Sequence, residues 1–209
     1  GLIFLVARKH RRIAIDNLTL ALGATRGAAE IEAIARAVFV NLVRIVFEIG
    51  WALRLEESRF GDHFTISGAD AYEKALSEGK GVLMLLAHFG NWELLPIIAH
   101  MLRMPVAIIY RPLDALFLDR FFKESRTRFG ARVISKRGHS MRRMYRELRE
   151  GRVVAMLMDQ GVDWYEGVFV DYFNQPACTS TGMAMLAIKS QAPVVPCFLI
   201  RTPKGFHAV

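Results

Sequence analysis

Residues 82–93, Val-Leu-Met-Leu-Leu-Ala-His-Phe-Gly-Asn-Trp-Glu, constrain the fold more than any other stretch. The unbroken apolar run from Val82 to Ala87 is the pattern of a strand buried on both faces, as in a parallel sheet. It stops at His88. Phe89-Gly90-Asn91 then reads as a tight turn with Asn91 as a helix N-cap, and Trp92 to Met101 has helical apolar spacing. A strand that hands its end to a helix N-terminus belongs to an α/β fold, and that junction is where such folds place their chemistry. His88 stands on it. Glu93 follows five residues later, in the first helical turn, within reach of the imidazole. A carboxylate on one ring nitrogen fixes the tautomer and makes the other nitrogen a better base. The plainer alternative is a core histidine capped by a nearby carboxylate.

The flanking chain alternates in the same way. Apolar residues from Ile31 to Leu53 recur at helical spacing and predict a long amphipathic helix covering a sheet. Phe64 to Ser67 reads as a strand, and Ala69 to Glu78 as a helix closed by Gly79. Strands are predicted over Pro105–Tyr110, Arg132–Ser135 and Val153–Met158, with helices over Leu116–Phe129 and Ser140–Glu150 between them. Val168 to Phe173 suits an edge strand or loop, Thr179 to Lys189 a helix, and Val194 to Ile200 a last strand. Alternating strands and helices specify an α/β sheet, parallel or mixed, covered by helices on both faces. Asp159 falls at a strand end, as His88 does.

A chain of 209 residues, 53% of them hydrophobic, can bury one substantial core, so a single domain is expected. Residues 1–60 would form a helical cover and residues 61–209 the α/β core. The longest uncharged apolar runs fall short of the roughly 18 residues needed to span a bilayer. Gly1 to Ala7 is apolar and runs into Arg8-Lys9-His10-Arg11-Arg12, the reverse of a signal peptide's order. Cys178 and Cys197 form no C-x-x-C pair, which suits a reducing, cytoplasm-facing compartment. Charge is uneven. Residues 120–152 hold twelve Lys/Arg against Glu124, Glu147 and Glu150, a local net of +9 beside a chain total of +8. Such a face attracts phosphates, anionic lipid surfaces or acidic proteins. Nucleic acid fits less well, because the segment lacks the interleaved aromatics of a single-strand binder.

His88-x-x-x-x-Glu93 after an apolar strand resembles the signature of the lysophospholipid acyltransferase superfamily, and His-Phe-Gly-Asn-Trp-Glu resembles its lipid A (late) acyltransferase branch. Tyr110-Arg111-Pro112, Arg126-x-x-x-Gly130, Asp159-Gln160, Pro176-Ala177-x-Thr179 and Ala192-Pro193-Val194-Val195-Pro196 follow in the family's order. The likeness runs from about Arg12 to Arg201. It departs at Tyr172-Phe173-Asn174, where the family usually has Phe-Phe-Gly. It departs also in lacking the N-terminal membrane helix and C-terminal segment that such proteins usually carry, as expected of a piece of a longer protein.

The resemblance implies an acyltransferase moving a fatty acyl chain from a thioester to a hydroxyl of a lipid A precursor, related glycolipid or lysophospholipid. His88 would be the base, Glu93 its orienting partner, and Arg126 a holder of the oxyanion or a phosphate. Arg111, Asp159, Gly90, Asn91 and Thr179 would form the substrate-binding set. The acyl thioester, on acyl carrier protein or coenzyme A, is a substrate, so no cofactor and no metal are implied. The expected setting is the cytoplasmic face of the bacterial inner membrane.

Two other classes stay open. Gly138-His139-Ser140-Met141 is most of a lipase nucleophile elbow, G-x-S-x-G, but Arg142 occupies the fifth position, where the strained turn needs a small residue. A hydrolase would therefore depend on Ser140. A non-catalytic anionic-lipid-binding module would need neither Ser140 nor His88.

Overall fold

The computed structural model describes residues 2–136 and 138–209; Gly1 of the apolar opening and Arg137 of the basic segment lie outside them. In chain order the elements are α1 (Leu2–Val6), α2 (Arg8–Leu22), α3 (Ala28–Ala52), α4 (Phe60–His63), β1 (Phe64–Ile66), α5 (Ala69–Ser77) and β2 (Val82–Leu86). Then come α6 (Leu95–Met101), β3 (Val106–Tyr110), α7 (Leu116–Arg128), β4 (Arg132–Ser135), α8 (Ser140–Arg149) and β5 (Val153–Leu157). The chain closes with β6 (Gly167–Tyr172), β7 (Gln175–Ser180), α9 (Gly182–Ser190), β8 (Val194–Pro196), β9 (Leu199–Thr202) and β10 (Gly205–Ala208). Among the described residues, no helix is long and apolar enough to cross a membrane.

The fold is α/β, and its residues gather into two compact units. The larger comprises residues 51–160 and 180–209. Its centre is a parallel sheet of order β4-β3-β5-β2-β8. Side chains alternate across a strand, and β2 shows why its sequence is apolar throughout. Val82, Met84 and Leu86 face Tyr72 and Ala75 of α5 and Ala99 of α6. Leu83 faces Met144 and Leu148 of α8 and Met183 and Leu186 of α9. With helices on both sides, no position of the strand has water to face. A small sheet, β1-β10-β9, joins the same unit, with β1 parallel to β10 and β10 antiparallel to β9.

The smaller unit comprises residues 1–50 and 161–179. Phe4 packs edge-on against Phe39 at 5.3 Å, with Ala35 beside them and Ala14, Ile15 and Leu18 of α2 around this core. Strands β6 and β7 are joined through Phe173 and Asn174, which take φ of 53° and 58°. Two successive left-handed residues make the turn type that matches strand twist in a hairpin. Here the departure from Phe-Phe-Gly has a physical account: asparagine is among the few non-glycine residues that accept the left-handed region readily.

Most expected boundaries hold to within a few residues, and three differ. Thr179 lies in β7 and α9 begins at Gly182, so Thr179 caps no helix; Thr181 occupies that position. The expected last strand is divided between β8 and β9 in different sheets, and β10 goes unforeseen. Pro196 ends β8, and a residue with no N–H cannot continue a ladder. The helix after His88 begins as a 3₁₀ turn, Trp92–Leu94, before α6.

Candidate active site

Strand register brings the principal pair together. Strands β2 and β5 run parallel with Leu86 opposite Leu157, and the amide of Met158 still donates to the carbonyl of Leu86 at 3.0 Å. Two residues further along each chain stand His88 and Asp159. The connection leaving β2 passes through α6 on one face, whereas that leaving β5 returns through α9 on the other. Adjacent strands whose connections depart to opposite faces open a crevice at their C-terminal ends, the usual ligand site of an open α/β sheet.

Asp159 grips His88 twice. Its Oδ2 accepts the His88 backbone amide at 2.8 Å, and its Oδ1 lies 2.8 Å from Nδ1. A carboxylate only accepts, so Nδ1 carries the hydrogen and Nε2 keeps its lone pair. The Gln160 side-chain nitrogen lies 3.4 Å from Nε2, a long contact that an incoming hydroxyl can displace. The pair remains wet, with side chains 27% and 34% exposed. The Trp92 ring meets the imidazole edge-on at 4.7 Å.

Glu93 takes a different place from the expected one. Its carboxylate accepts from Arg126 Nε at 2.8 Å and Nη2 at 2.6 Å, and from Trp92 Nε1 at 3.1 Å. This fork-to-carboxylate pair is closed in, with side chains 6% and 14% exposed. Asp159 occupies Nδ1 of His88, and among the described residues the link from Glu93 to the histidine runs through Trp92. The physical reason is the 3₁₀ turn together with the packing of α7 beside it, which places a guanidinium on the buried carboxylate. Arg126 is engaged within the fold, with its fork on Glu93 and its charge over the rings of Tyr110 and Phe122. Asp159, expected to bind substrate, holds His88.

The remaining expected residues divide. Gly90 has φ of 62°, and a Cβ there would come within 1.9 Å of the Leu199 carbonyl oxygen, so only glycine lets the turn pass that strand. Asn91 is fully buried at the start of the 3₁₀ turn but makes no side-chain cap bond; its carbonyl accepts the Leu94 amide instead. Arg111 stands exposed just beyond β3, on the same sheet edge as His88. Gly130 closes α7 with φ of 83°, the left-handed stop that follows many helices. Thr179 belongs to the other unit, where its hydroxyl donates to the Ala177 carbonyl at 3.4 Å. Two residues at the site had no role assigned from sequence, Gln160 and Trp92. Both lay within quoted motifs, and their adjacency to His88 and Asp159 was the available signal.

Ser140 opens α8 and is 9% exposed, with its amide bonded to the Gly138 carbonyl. Both cysteines are free thiols, and burial pushes that of Cys197 up to about 11, so it is no nucleophile at neutral pH.

The bacterial lipid A biosynthesis acyltransferase family model matches residues 1–209. The chain belongs to that family. It is 25% identical over 167 residues to a lipid A biosynthesis acyltransferase of Haemophilus influenzae, covering 80% of this chain and 52% of the relative. It is also 25% identical over 145 residues to a phosphatidylinositol mannoside acyltransferase of Mycolicibacterium smegmatis, covering 68% of this chain and 47% of the relative. The chain thus spans about half the length of these relatives.

Proposed function

We propose that this chain holds the catalytic site of an O-acyltransferase that moves a fatty acyl group from a thioester donor to a hydroxyl of a membrane glycolipid. The observation that carries the reading is the Asp159 carboxylate on His88 Nδ1, which leaves the Nε2 lone pair available on a partly exposed side chain at the C-terminal ends of β2 and β5. The acceptor O–H gives its proton to Nε2 while its oxygen attacks the thioester carbonyl. The imidazolium formed is stabilised by Asp159. Collapse of the tetrahedral intermediate breaks the C–S bond, and the departing thiolate takes the proton back from Nε2. No acyl-enzyme is needed, and His88 ends as it began.

In this reading Glu93 and Arg126 are positioning residues. They hold Trp92, and Trp92 holds the imidazole. Arg111 on the site edge is suited to an acceptor phosphate, which a guanidinium binds bidentately. A lipid acceptor implies work at a membrane surface, with peripheral association on its cytoplasmic side. The two named relatives act on different glycolipids, so both acceptor types belong in the test. Wild-type chain is incubated with acyl carrier protein and coenzyme A thioesters against a lipid A precursor and a phosphatidylinositol mannoside, with the ester product read by mass spectrometry. Ester from the wild type and none from His88→Ala is the expected result. A folded wild type that makes no ester in any combination overturns the proposal.

A further inference from the structure

The basic segment seen in the sequence resolves into two kinds of arginine. Several exposed arginines on other helices carry an acid about one turn away, as in Arg12–Asp16, Arg36–Glu32 and Arg120–Glu124. Among the described residues, helix α8 has no such pairing on its outer face. Its acid Glu147 is buried and bonded to Arg152, with Arg132 also near, and Glu150, the next residue beyond its end, pairs with Arg152 as well. Arg142, Arg143, Arg146 and Arg149 are all exposed and, among the described residues, have no carboxylate partner. At 100° per residue, 142, 146 and 149 form one stripe with 143 on its border, while Met144 and Leu148 enter the core on the opposite side. Like charges one turn apart destabilise a helix. Four such guanidiniums crowd one face of a single ten-residue helix.

We infer that the outer face of α8 is the docking surface for an acidic, helical carrier protein that brings the acyl thioester; the inference rests on the acyl-transfer reading above. The stripe's direction favours a protein over a bilayer. Helix α8 starts beyond the C-terminal end of β4, the sheet edge that holds His88, and runs antiparallel to the strands, away from that edge. A lipid must reach His88 at the edge, so a bilayer there meets the first turn only. Arg149 stands about 10 Å further along at 1.5 Å per residue, beyond the screening length of about 8 Å at physiological salt. A carboxylate-rich helix laid along α8 meets all four guanidiniums at once. Beyond Tyr145, which Lys189 of α9 covers at 5.2 Å, α9 exposes Met185 and Ile188, the apolar component that a protein partner uses and a phosphate does not.

The test uses Arg146→Glu/Arg149→Glu at the far end of the stripe, with Arg146→Gln/Arg149→Gln as a milder pair should reversal impair folding. Binding of holo acyl carrier protein is measured by fluorescence anisotropy at several salt concentrations. Binding to phosphatidylglycerol–phosphatidylcholine vesicles is measured by sedimentation. KM and kcat are measured for carrier-protein and coenzyme A donors bearing the same chain. Reversal should weaken carrier binding and raise carrier-donor KM at least tenfold, most at low salt, while vesicle binding, kcat and coenzyme A donor KM stay within twofold. The neutral pair should fall between. An unchanged carrier affinity, equal losses for both donors, or loss of vesicle binding alone each overturns the assignment; the last would make α8 a bilayer face. Carrier binding that the variant loses, in a wild type that forms no ester, keeps the docking surface and removes the catalytic reading instead.

Discussion

Two pairs of acid and base start from residues five apart on the chain, His88 and Glu93, and they differ in what water can reach. His88 and Asp159 are about one-third exposed, whereas Glu93 and Arg126 are almost closed off. The sequence offered Glu93 as partner to His88; the fold gives each its own partner and separates their tasks. A group that exchanges protons with substrate needs access and a free lone pair. A buried carboxylate needs every lone pair occupied, because an unpaired buried charge is costly. Glu93, with three donors on its two oxygens, is satisfied in place. His88, with one nitrogen held and the other facing a long contact, is poised.

The comparison breaks most directly at His88. His88→Ala should lower kcat by about 10²- to 10⁴-fold, the usual contribution of a general base, with an unchanged circular dichroism spectrum and melting temperature. Turnover within a few-fold of wild type would show that some other group takes the proton.

The closed pair should answer in stability rather than chemistry. Glu93→Ala strands Arg126 in a largely buried site, and breaking such a pair costs about 3 kcal/mol or more. For a chain of this size that lowers the melting temperature by about 6 to 12 °C. Glu93→Leu/Arg126→Met removes both charges and should recover much of the loss. Its kcat should then lie within about tenfold of wild type, since Trp92 is left to hold the imidazole alone. If the recovered protein is as dead as His88→Ala, Glu93 acts directly on the histidine and the separation of tasks proposed here is wrong.

Asp159 should show the intermediate effect. Asp159→Asn keeps the size but offers Nδ1 either a weaker acceptor or an amide donor that favours the opposite tautomer. In a serine-protease triad the corresponding change costs up to about 10⁴-fold. Here the carboxylate is one-third exposed and water can substitute for it in part, so about 10²-fold in kcat is expected. KM should move less than kcat, which separates holding the base from binding the substrate. A rise in KM alone would return Asp159 to substrate binding.

What was legible in the sequence, and what was not, follows the same division. Strands buried on both faces declare themselves by unbroken apolar runs, so β2, β3 and β5 were plain, and with them the place of His88 and Asp159 at strand ends. Their meeting depends on β2 and β5 being neighbours in register, and strand order is written in no local pattern. Glu93 was misassigned for a related reason. Five residues of separation made His88 the near choice, whereas Arg126, 33 residues away, arrives only when α7 packs against the turn. Chain proximity predicts a contact only until the tertiary fold offers a stronger one.

The smallest effect is expected at Ser140, and its absence is informative. A serine hydrolase needs the hydroxyl on an exposed, strained turn within reach of a base. Ser140 instead begins an ordinary helix, 91% of its surface is covered since its exposure is 9%, and no hydrogen bond joins its hydroxyl to a base among the described residues. The next position but one, Arg142, points a guanidinium outward where an elbow requires a small residue. Ser140→Ala deletes one oxygen and should leave ester formation within about twofold of wild type, with stability changed by no more than about 1 kcal/mol, as for a lost single hydrogen bond. Product release should be assayed with and without acceptor, because a hydrolase liberates free fatty acid in water whether or not a second hydroxyl is present. If Ser140→Ala abolishes turnover while His88→Ala spares it, the chemistry belongs to α8 and the crevice between β2 and β5 is only a fold.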